Sequence, residues 1–197
     1  ANMNFDRLRY VSERAELGEQ REAVLAVSIP EEPGSFKKFC SMLGTRSITE
    51  FNYRYADSKQ AHVFVGVSVQ NREEVVKLIK SLEANGLRTE DLSGNEMAKL
   101  HVRHMVGGRS KEVKHEILYR FEFPDRPGAL MKFLNNMSHH WNISLFHYRN
   151  HGADFGRVLV GIQVPLSEKV DFQKFLDNLG YRYWNESHNP AYKLFLL

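Results

Sequence analysis

The sequence predicts an α+β protein built from two tandem βαββαβ modules, each an antiparallel sheet with its helices on one face. Three observations support this prediction. An internal duplication covers most of the 197 residues, strand-like and helix-like apolar periods follow the same order in both copies, and glycines and prolines recur at matching element ends.

The duplication has a period of 94 to 95 residues. The Pro-Gly pair at 33–34 recurs as 127–128, and the motif FNYR at 51–54 recurs as FHYR at 146–149. The apolar stretch HVFVGVSV (62–69) also has a counterpart 95 residues later, RVLVGIQV (157–164). A match that runs through several elements and loops predicts that each copy is one folding unit.

Each copy begins with a strand and a helix. Ala23–Ile29 and Ile117–Phe123 are apolar, rich in β-branched or aromatic residues, and followed by proline, which predicts the first strands. Apolar residues at i, i+3, i+4 and i+7 then predict an amphipathic helix that opens at Pro-Gly. These residues are Phe36, Phe39, Cys40 and Leu43 in the first copy, and Leu130, Phe133, Leu134 and Met137 in the second.

A hairpin, a second helix and a short fourth strand complete each copy. Gly86 and Gly180 follow the predicted second helices, where a glycine in the left-handed conformation commonly ends a helix. The predicted hairpin strands are Ile48–Tyr55 with His62–Val69 and Ile143–Arg149 with Arg157–Val164, joined by turns at Asp57–Lys59 and Asn150–Asp154.

Helices on one face leave the other face of each small sheet in need of a cover. The two copies could pair edge to edge into one larger sheet, or a partner domain or subunit could cover that face. We expect self-association. A polar segment containing Gly107-Gly108 falls between the copies and predicts a linker.

Composition narrows the functional classes. No apolar run approaches the roughly 20 residues of a membrane span, and Ala1–Tyr10 lacks the apolar stretch of a secretory signal. We therefore expect a cytoplasmic protein. The net charge of +3 is spread along the chain, so nothing points to a nucleic-acid partner, and the single cysteine, Cys40, is expected in the core.

The Pro-Gly loops, Glu31–Ser35 and Asp125–Ala129, are the first candidate site. Each leads into a helix start, where unpaired N–H groups and the helix dipole attract an anion such as an amino acid's carboxylate. Gly34, Ser35, Phe36, Gly128 and Ala129 are the candidate ligand contacts. The alternative is ordinary turn and helix-start chemistry, although its duplication favours a function.

The Tyr-Arg pairs are the second candidate site: Tyr53 with Arg54, and Tyr148 with Arg149. Tyrosine offers an apolar ring with a hydroxyl, and arginine grips a carboxylate with two parallel donors, so together they suit a small zwitterion. Neighbouring strand residues point to opposite faces. The alternative is that these are ordinary sheet residues and solvated salt bridges.

Metal and catalytic signatures are missing from the sequence. His139-His140 and His101 with His104 lack converging ligands at zinc spacing, so no metal is predicted. There is no nucleophile elbow and no P-loop, so no catalytic residue is assigned.

Long stretches of the chain closely resemble the C-terminal half of biosynthetic threonine dehydratases. They are ERAELGEQRE (13–22), IPEEPGSFKKFC (29–40), TEFNYRY (49–55), MAKLHVRHMVGGR (97–109), FPDRPGAL (123–130) and WNISLFHYRNHGADFGRVLVG (141–161). The resemblance spans essentially the whole chain.

The resemblance implies two ACT-like, ferredoxin-like modules packed side by side, at residues 23–106 and 117–197. A helical tail from the catalytic domain would occupy residues 1–22, and a linker residues 107–116. The effector residues that it implies are Tyr53 and Tyr148, with arginines linked to feedback control at Arg54, Arg149 and Arg103.

The resemblance also implies partners. Isoleucine would be the feedback inhibitor and valine its antagonist. The fragment would bind no cofactor, because PLP belongs to the absent catalytic domain of the same polypeptide, which converts threonine to 2-oxobutanoate and ammonia. A dimer is expected for the fragment and a tetramer for the intact enzyme.

Three alternatives stay open at this point. The chain could be a freestanding amino-acid-binding ACT protein, or a freestanding enzyme of ferredoxin-like fold, although no convergent set of catalytic residues supports the latter. An RNA-binding RRM shares the βαββαβ order, but its third strand carries exposed aromatics, whereas here the two third strands offer one phenylalanine.

Overall fold

The computed structural model describes residues 21–105, 107–150 and 154–197. Residues 1–20 of the predicted tail therefore lie outside the described residues, as do 151–153 of the predicted turn at Asn150–Asp154. Glu22 already belongs to the first strand, one residue before the predicted start.

The first module has the predicted βαββαβ order. Its elements are β1 (Glu22–Pro30), α1 (Ser35–Met42), β2 (Ile48–Arg54), β3 (Gln60–Ser68), α2 (Arg72–Ala84) and β4 (Thr89–Asp91). A short helix α3 (Glu96–Leu100) and a 3-10 turn (Val102–His104) follow. The sequence analysis included these residues in the module but predicted no helix there. Gly86 has a φ of 79°, which fits the predicted left-handed position after α2.

The second module repeats that order. Its elements are β5 (Glu116–Pro124), α4 (Ala129–Asn136), β6 (Asn142–Arg149), β7 (Phe155–Gln163), α5 (Lys169–Leu179), β8 (Arg182–Asn185) and α6 (Pro190–Phe195). A 3-10 turn (Leu166–Glu168) precedes α5. Within the described ranges, none of the helices has the length and apolarity to cross a bilayer.

The two modules form one eight-stranded antiparallel sheet in the order β4-β1-β3-β2-β6-β7-β5-β8. Strands β2 and β6 pair at its centre, with Tyr53 opposite Phe146 and Phe51 opposite Tyr148. Because β2 and β6 are the same element in the two copies, the modules are related by an approximate twofold axis at this junction. The edge-to-edge alternative is therefore the one that the chain adopts.

The long helices cover one face of the sheet, here called the helix face. An aromatic cluster spans the module junction there: the Phe36 ring lies 5.3 Å from Phe51 and 4.9 Å from Phe146. All three side chains are buried. Each buried aromatic contributes about 1.5–3 kcal/mol, so this cluster holds the two modules together as well as each module itself.

The opposite face, here called the back face, is covered by the short helices of the same chain. Val24 and Phe64 pack against Ala98 of α3, and Leu118 and Leu145 pack against Tyr192 of α6. The structure thus adds helices where the sequence analysis predicted an open face.

This cover also bears on the RNA-binding alternative. Phe64, the aromatic of the third strand, is buried beneath α3. It is therefore not exposed to stack a base.

Candidate functional site

A cavity of about 310 Å³ lies between the two modules on the helix face. Module 1 contributes the end of α1 and the loop into β2, and module 2 contributes its Pro-Gly loop, the start of α4 and Tyr148. The lining residues are Cys40, Gly44, Thr45, Arg46, Ser47, Ile48, Phe123, Pro124, Asp125, Arg126, Pro127, Gly128, Ala129, Leu130, Met131, Tyr148 and Asn150. This volume is at the lower end of small-molecule sites, which suits a ligand the size of an amino acid.

The Pro-Gly loop positions the start of α4 at the cavity. Gly128 has a φ of 85°, in the left-handed region that favours glycine, and a Cβ added there would meet nothing within 4 Å. Gly34 has the same geometry at the start of α1, with a φ of 90°. The glycine is therefore needed for the backbone conformation at the start of the helix, where the N–H of Ala129 donates to the carbonyl of Arg126 at 3.3 Å.

Tyr148 forms one wall of the cavity beside acidic and amide groups. Asn150 donates to the Asp125 carboxylate at 3.2 Å. Burial, with the nearby Asp125 charge, raises the pKa of Tyr148 to about 12, although a hydrogen bond with Asn150 opposes the shift. The hydroxyl therefore stays protonated at neutral pH and is able to donate a hydrogen bond.

Gly156 of β7 leaves room for the Tyr148 ring. A Cβ at residue 156 would lie 2.6 Å from that ring, closer than side chains tolerate. The position of the ring thus requires a glycine at residue 156, which the sequence analysis did not single out.

The equivalent place in module 1 is nearly filled. A cavity of only about 40 Å³ remains there, between the first Pro-Gly loop and the α4–β6 loop of module 2. Its lining residues are Glu32, Gly34, Phe36, Lys37, Leu134, Met137, Ser138, His139, Trp141, Asn142 and Ile143. Ser35 is at the first position of α1, and its N–H donates to the carbonyl of Glu32 at 3.2 Å.

Glu31 lies beside this smaller cavity and is hydrogen-bonded to Asn142, one of its lining residues. Tyr53 donates its hydroxyl to one oxygen of Glu31, and the Asn142 amide donates to the other at 3.0 Å. Burial raises the pKa of Glu31, outweighing these two hydrogen bonds, and burial also raises that of Tyr53.

The repeat shows why module 2 is open. By the 94-residue spacing Glu31 corresponds to Asp125, and by the 95-residue spacing Asn142 corresponds to Ser47. Asp125 and Ser47, the counterparts that line the larger cavity, have shorter side chains than Glu31 and Asn142. The two equivalent places therefore differ in size, about 310 Å³ against about 40 Å³.

The arginines predicted for the effector site lie on the back face, away from the cavity. Arg54 makes a two-point salt bridge with Glu116 of module 2 and donates to the carbonyls of Gly108 and Leu196 at 3.1 Å and 2.6 Å. Tyr53 and Arg54 therefore cannot hold one ligand together, because neighbouring strand residues face opposite sides of the sheet.

Arg149 and Arg103 form a second buried cluster on the back face. Arg103 donates to Glu50 at 3.0 Å and to Glu22 at 2.9 Å. Arg149 lies 3.9 Å from Glu50 and contacts His104 at 3.1 Å. Burial raises the pKa of Glu50, although Arg103 opposes the shift. These contacts indicate a structural role in joining the modules and the turn after α3.

Several residues of the site were missed because their signal lies in a comparison of the two copies. Asn142, Ser47 and Arg46 are unremarkable in local patterns, and Glu31 was named only as part of the first Pro-Gly loop. Aligning the repeats would have shown that the loop acids and the residues before the second strands differ in size. Arg46 lines the large cavity while its guanidinium is held by Glu74 at 2.8 Å.

The fold and the junction cavity define a tandem ACT-like protein, and comparison with known proteins agrees. Residues 13–102 and 107–196 each match the family described as the C-terminal regulatory domain of threonine dehydratase. The chain belongs to this family.

Curated relatives extend over the whole chain. It is 60% identical over 196 residues to L-threonine dehydratase biosynthetic IlvA of Burkholderia multivorans and 57% identical over 197 residues to that of Escherichia coli. It is 50% identical over 205 residues to the mitochondrial threonine dehydratase of Saccharomyces cerevisiae. The alignments cover 100% of this chain but 39%, 38% and 35% of these relatives, so the chain spans less than two fifths of their length.

Proposed function

We propose that this regulatory domain binds isoleucine in the junction cavity as a feedback inhibitor, and that valine competes as its antagonist. The observation that carries the proposal is the cavity of about 310 Å³ at the second Pro-Gly loop. It combines a helix start, an exposed acid and an apolar wall in one place of suitable size.

The lining suits each part of an aliphatic amino acid. The first N–H groups of α4, with Arg126 at the rim, suit the carboxylate. Asp125 suits the ammonium group, and the Tyr148 hydroxyl supplies a further donor. Ile48 and Leu130 lie on the apolar side, where a branched side chain would be buried. Of the predicted effector contacts, Tyr148, Gly128 and Ala129 belong to this proposed site.

Regulation would follow from the position of the cavity between the modules. A ligand there contacts the α1–β2 loop of module 1 and the start of α4 in module 2, so it favours one arrangement of the two. An effector inhibits only by binding the low-activity arrangement more tightly, typically with about 1–3 kcal/mol of coupling. Two ligands of different size would favour different arrangements.

The proposal extends to the partners of the domain. In this proposal the rest of the same polypeptide is a catalytic domain that uses PLP to convert threonine to 2-oxobutanoate and ammonia in the cytoplasm. The intact enzyme would be a tetramer and the isolated domain a dimer. No lysine, the residue that binds PLP covalently, is among the described residues that line the junction cavity.

Isothermal titration calorimetry of the chain with isoleucine and with valine tests the proposal. We expect saturable heat with both ligands and displacement of one by the other. The absence of heat with either ligand at millimolar concentration would contradict it.

Variants of the cavity then locate the binding. Asp125→Asn should weaken isoleucine binding about 10- to 150-fold, the value of a hydrogen bond to a charged group of about 1.5–3 kcal/mol. Tyr148→Phe should weaken it about two- to tenfold. Tyr183→Phe, on the edge strand β8, is the matched control and should leave the affinity unchanged.

A further inference from the structure

We propose that module 2 binds a small phosphate ester in a second cavity, here called the outer cavity. This cavity has a volume of about 320 Å³ and lies between the end of β5, the helix α4, the end of α5 and the start of β8. Its lining includes Glu122, Arg126, Lys132, Phe155, Tyr181 and Arg182. It adjoins the junction cavity, because Arg126 lines both.

Positive charge predominates in the outer cavity. Three cationic side chains and one acid line it: Arg126, Lys132, Arg182 and Glu122. Arg182 forms an ion pair with Glu122 at 3.3 Å, so this acid neutralises only one of the three cations. Arg126 and Lys132 leave a local excess of positive charge, which attracts an anion.

Arg126 is the cation that lacks a partner. Among the described residues, none accepts a hydrogen bond from its guanidinium or forms an ion pair with it. Its charge nevertheless acts on Tyr181, because burial raises the pKa of that hydroxyl and the positive charge of Arg126 opposes the shift. The guanidinium therefore lies near the Tyr181 wall of the cavity, with its donors available to two oxygens of one phosphate group.

Lys132 of α4 is positioned by the end of α5. Its ammonium group donates to the carbonyl of Leu179 at 3.0 Å and lies 5.2 Å from the centre of the Tyr181 ring. The ring itself is held, because Tyr181 donates its hydroxyl to the carbonyl of Ala129 at 3.0 Å. An ammonium group has three donors, so two remain for a ligand. This cation is thus in place before an anion binds, which lowers the entropic cost of binding.

The size of the cavity and an apolar wall favour a phosphate ester over a free ion. A volume of about 320 Å³ falls within the range of sites for small organic molecules. Phe155, at the start of β7, is 47% exposed, so its ring is available to contact an apolar group of the ligand. A phosphate ester carries about 1.5 to 2 negative charges at pH 7, which matches two unneutralised cations better than a monocarboxylate does.

The fold does not require this basic and aromatic lining. By the 94-residue spacing Arg126 corresponds to Glu32 of module 1, and by the 95-residue spacing Phe155 corresponds to Gln60. Module 1 forms the same βαββαβ unit with an acid in the place of the arginine and an amide in the place of the ring. The anion site is therefore assigned to module 2 alone.

The shared Arg126 couples the outer cavity to the junction cavity. A phosphate group that holds the guanidinium in the outer cavity withdraws it from the carboxylate of isoleucine, a consequence that rests on the proposed function. Because such coupling is reciprocal, phosphate and isoleucine should each weaken the binding of the other by the same factor.

A nuclear magnetic resonance titration of the whole chain tests the anion site. Proton–nitrogen correlation spectra are recorded with inorganic phosphate and, separately, with phenyl phosphate. Sodium chloride keeps the ionic strength constant, because salt screens exposed charges. We expect saturable shifts confined to the amides near Arg126 and residues 179–182. Phenyl phosphate should bind about two- to tenfold more tightly than inorganic phosphate, because its ring contacts Phe155.

Variants that remove one charge or the ring locate the site. Arg126→Gln and Lys132→Gln should each weaken phosphate binding about tenfold, the value of a hydrogen bond to a charged group. Lys174→Gln on α5 is the matched control, since Lys174 is 68% exposed and pairs with Asp171 at 3.3 Å, and it should leave the affinity unchanged. Phe155→Ala should abolish the preference for phenyl phosphate and keep the binding of inorganic phosphate. Urea unfolding establishes that each variant is folded.

Two results would overturn the anion site: shifts that grow without saturation, or shifts that persist unchanged in Lys132→Gln. Equal affinities for the two probes would refute the contact with Phe155 and leave free phosphate as the ligand.

Calorimetry with L-isoleucine, in the presence and absence of saturating phosphate, tests the shared arginine. The isoleucine affinity should fall about fivefold in phosphate, and this effect should be lost in Lys132→Gln. An unchanged affinity would refute the sharing of Arg126, while the anion site and the proposed function both stand. If isoleucine does not bind in either buffer, the proposed function is overturned and the phosphate titration alone decides the anion site.

Discussion

Replacing Arg54 by alanine should destabilise the protein by about 3–5 kcal/mol, because the change leaves a buried carboxylate without its cation. The side chains of Arg54 and Glu116 are 8% and 4% exposed. Ser144 and Tyr192 still donate to Glu116, at 2.6 Å and 2.8 Å, and reduce the loss. The bonds from Arg54 to three backbone carbonyls add to it, at about 0.5–1.5 kcal/mol each.

Urea unfolding of the chain followed by circular dichroism measures this change. Arg72→Ala is the matched control, since Arg72 and Asp91 form an ion pair with side chains 56% and 20% exposed, for which about 0–1 kcal/mol is expected. Arg54→Met combined with Glu116→Leu should recover much of the stability, since no unpaired charge remains. A loss for Arg54→Ala as small as that of the control would refute a buried clamp between the modules.

Three further predictions concern the cavity wall, the Pro-Gly loop and the thiol. Gly156→Ala should displace the Tyr148 ring and weaken isoleucine binding about tenfold in calorimetry, as expected for about 1.4 kcal/mol. An unchanged affinity would contradict the placement of Tyr148 in the ligand site. In Gly128→Ala the added methyl group has room, but the φ of 85° is unfavourable for alanine. Urea unfolding should therefore show a loss of about 1–2 kcal/mol in the free energy of unfolding rather than none. Cys40 is 3% exposed and burial raises the pKa of its thiol, so it should react with a disulfide reagent only after unfolding, and rapid reaction of the folded chain would contradict its burial.

The element order could be predicted from the sequence because each element has its own period and its own end signal. The stripe at Phe36, Phe39 and Cys40 predicts α1, and the structure buries these residues. The short helices α3 and α6 have five and six residues, too few for a period to show. No local pattern in the sequence therefore predicts that these two helices cover the back face.

The joining of the modules depends on contacts between residues distant in the chain. Nothing in β2 alone selects β6 as its neighbour, since the pairing of Phe51 with Tyr148 joins strands almost a hundred residues apart. The edge-to-edge arrangement therefore stayed one of two alternatives.

The candidate site was predictable in part. The Pro-Gly loops and Tyr148 were predicted as site residues because they recur in both copies, and the second loop lies with Tyr148 at the junction cavity. That they bind a ligand stays a prediction. The arginines could not be placed correctly, because Arg54 finds its buried partner 62 residues away at Glu116. Expected self-association stays a prediction.

A crystal structure of the chain with saturating L-isoleucine tests the central claim most directly. Ligand density should appear first between Tyr148, Asp125 and the loop at 44–48, while Glu31 still accepts from Tyr53 in module 1. Density elsewhere, or an empty junction cavity at saturating ligand, would contradict the account.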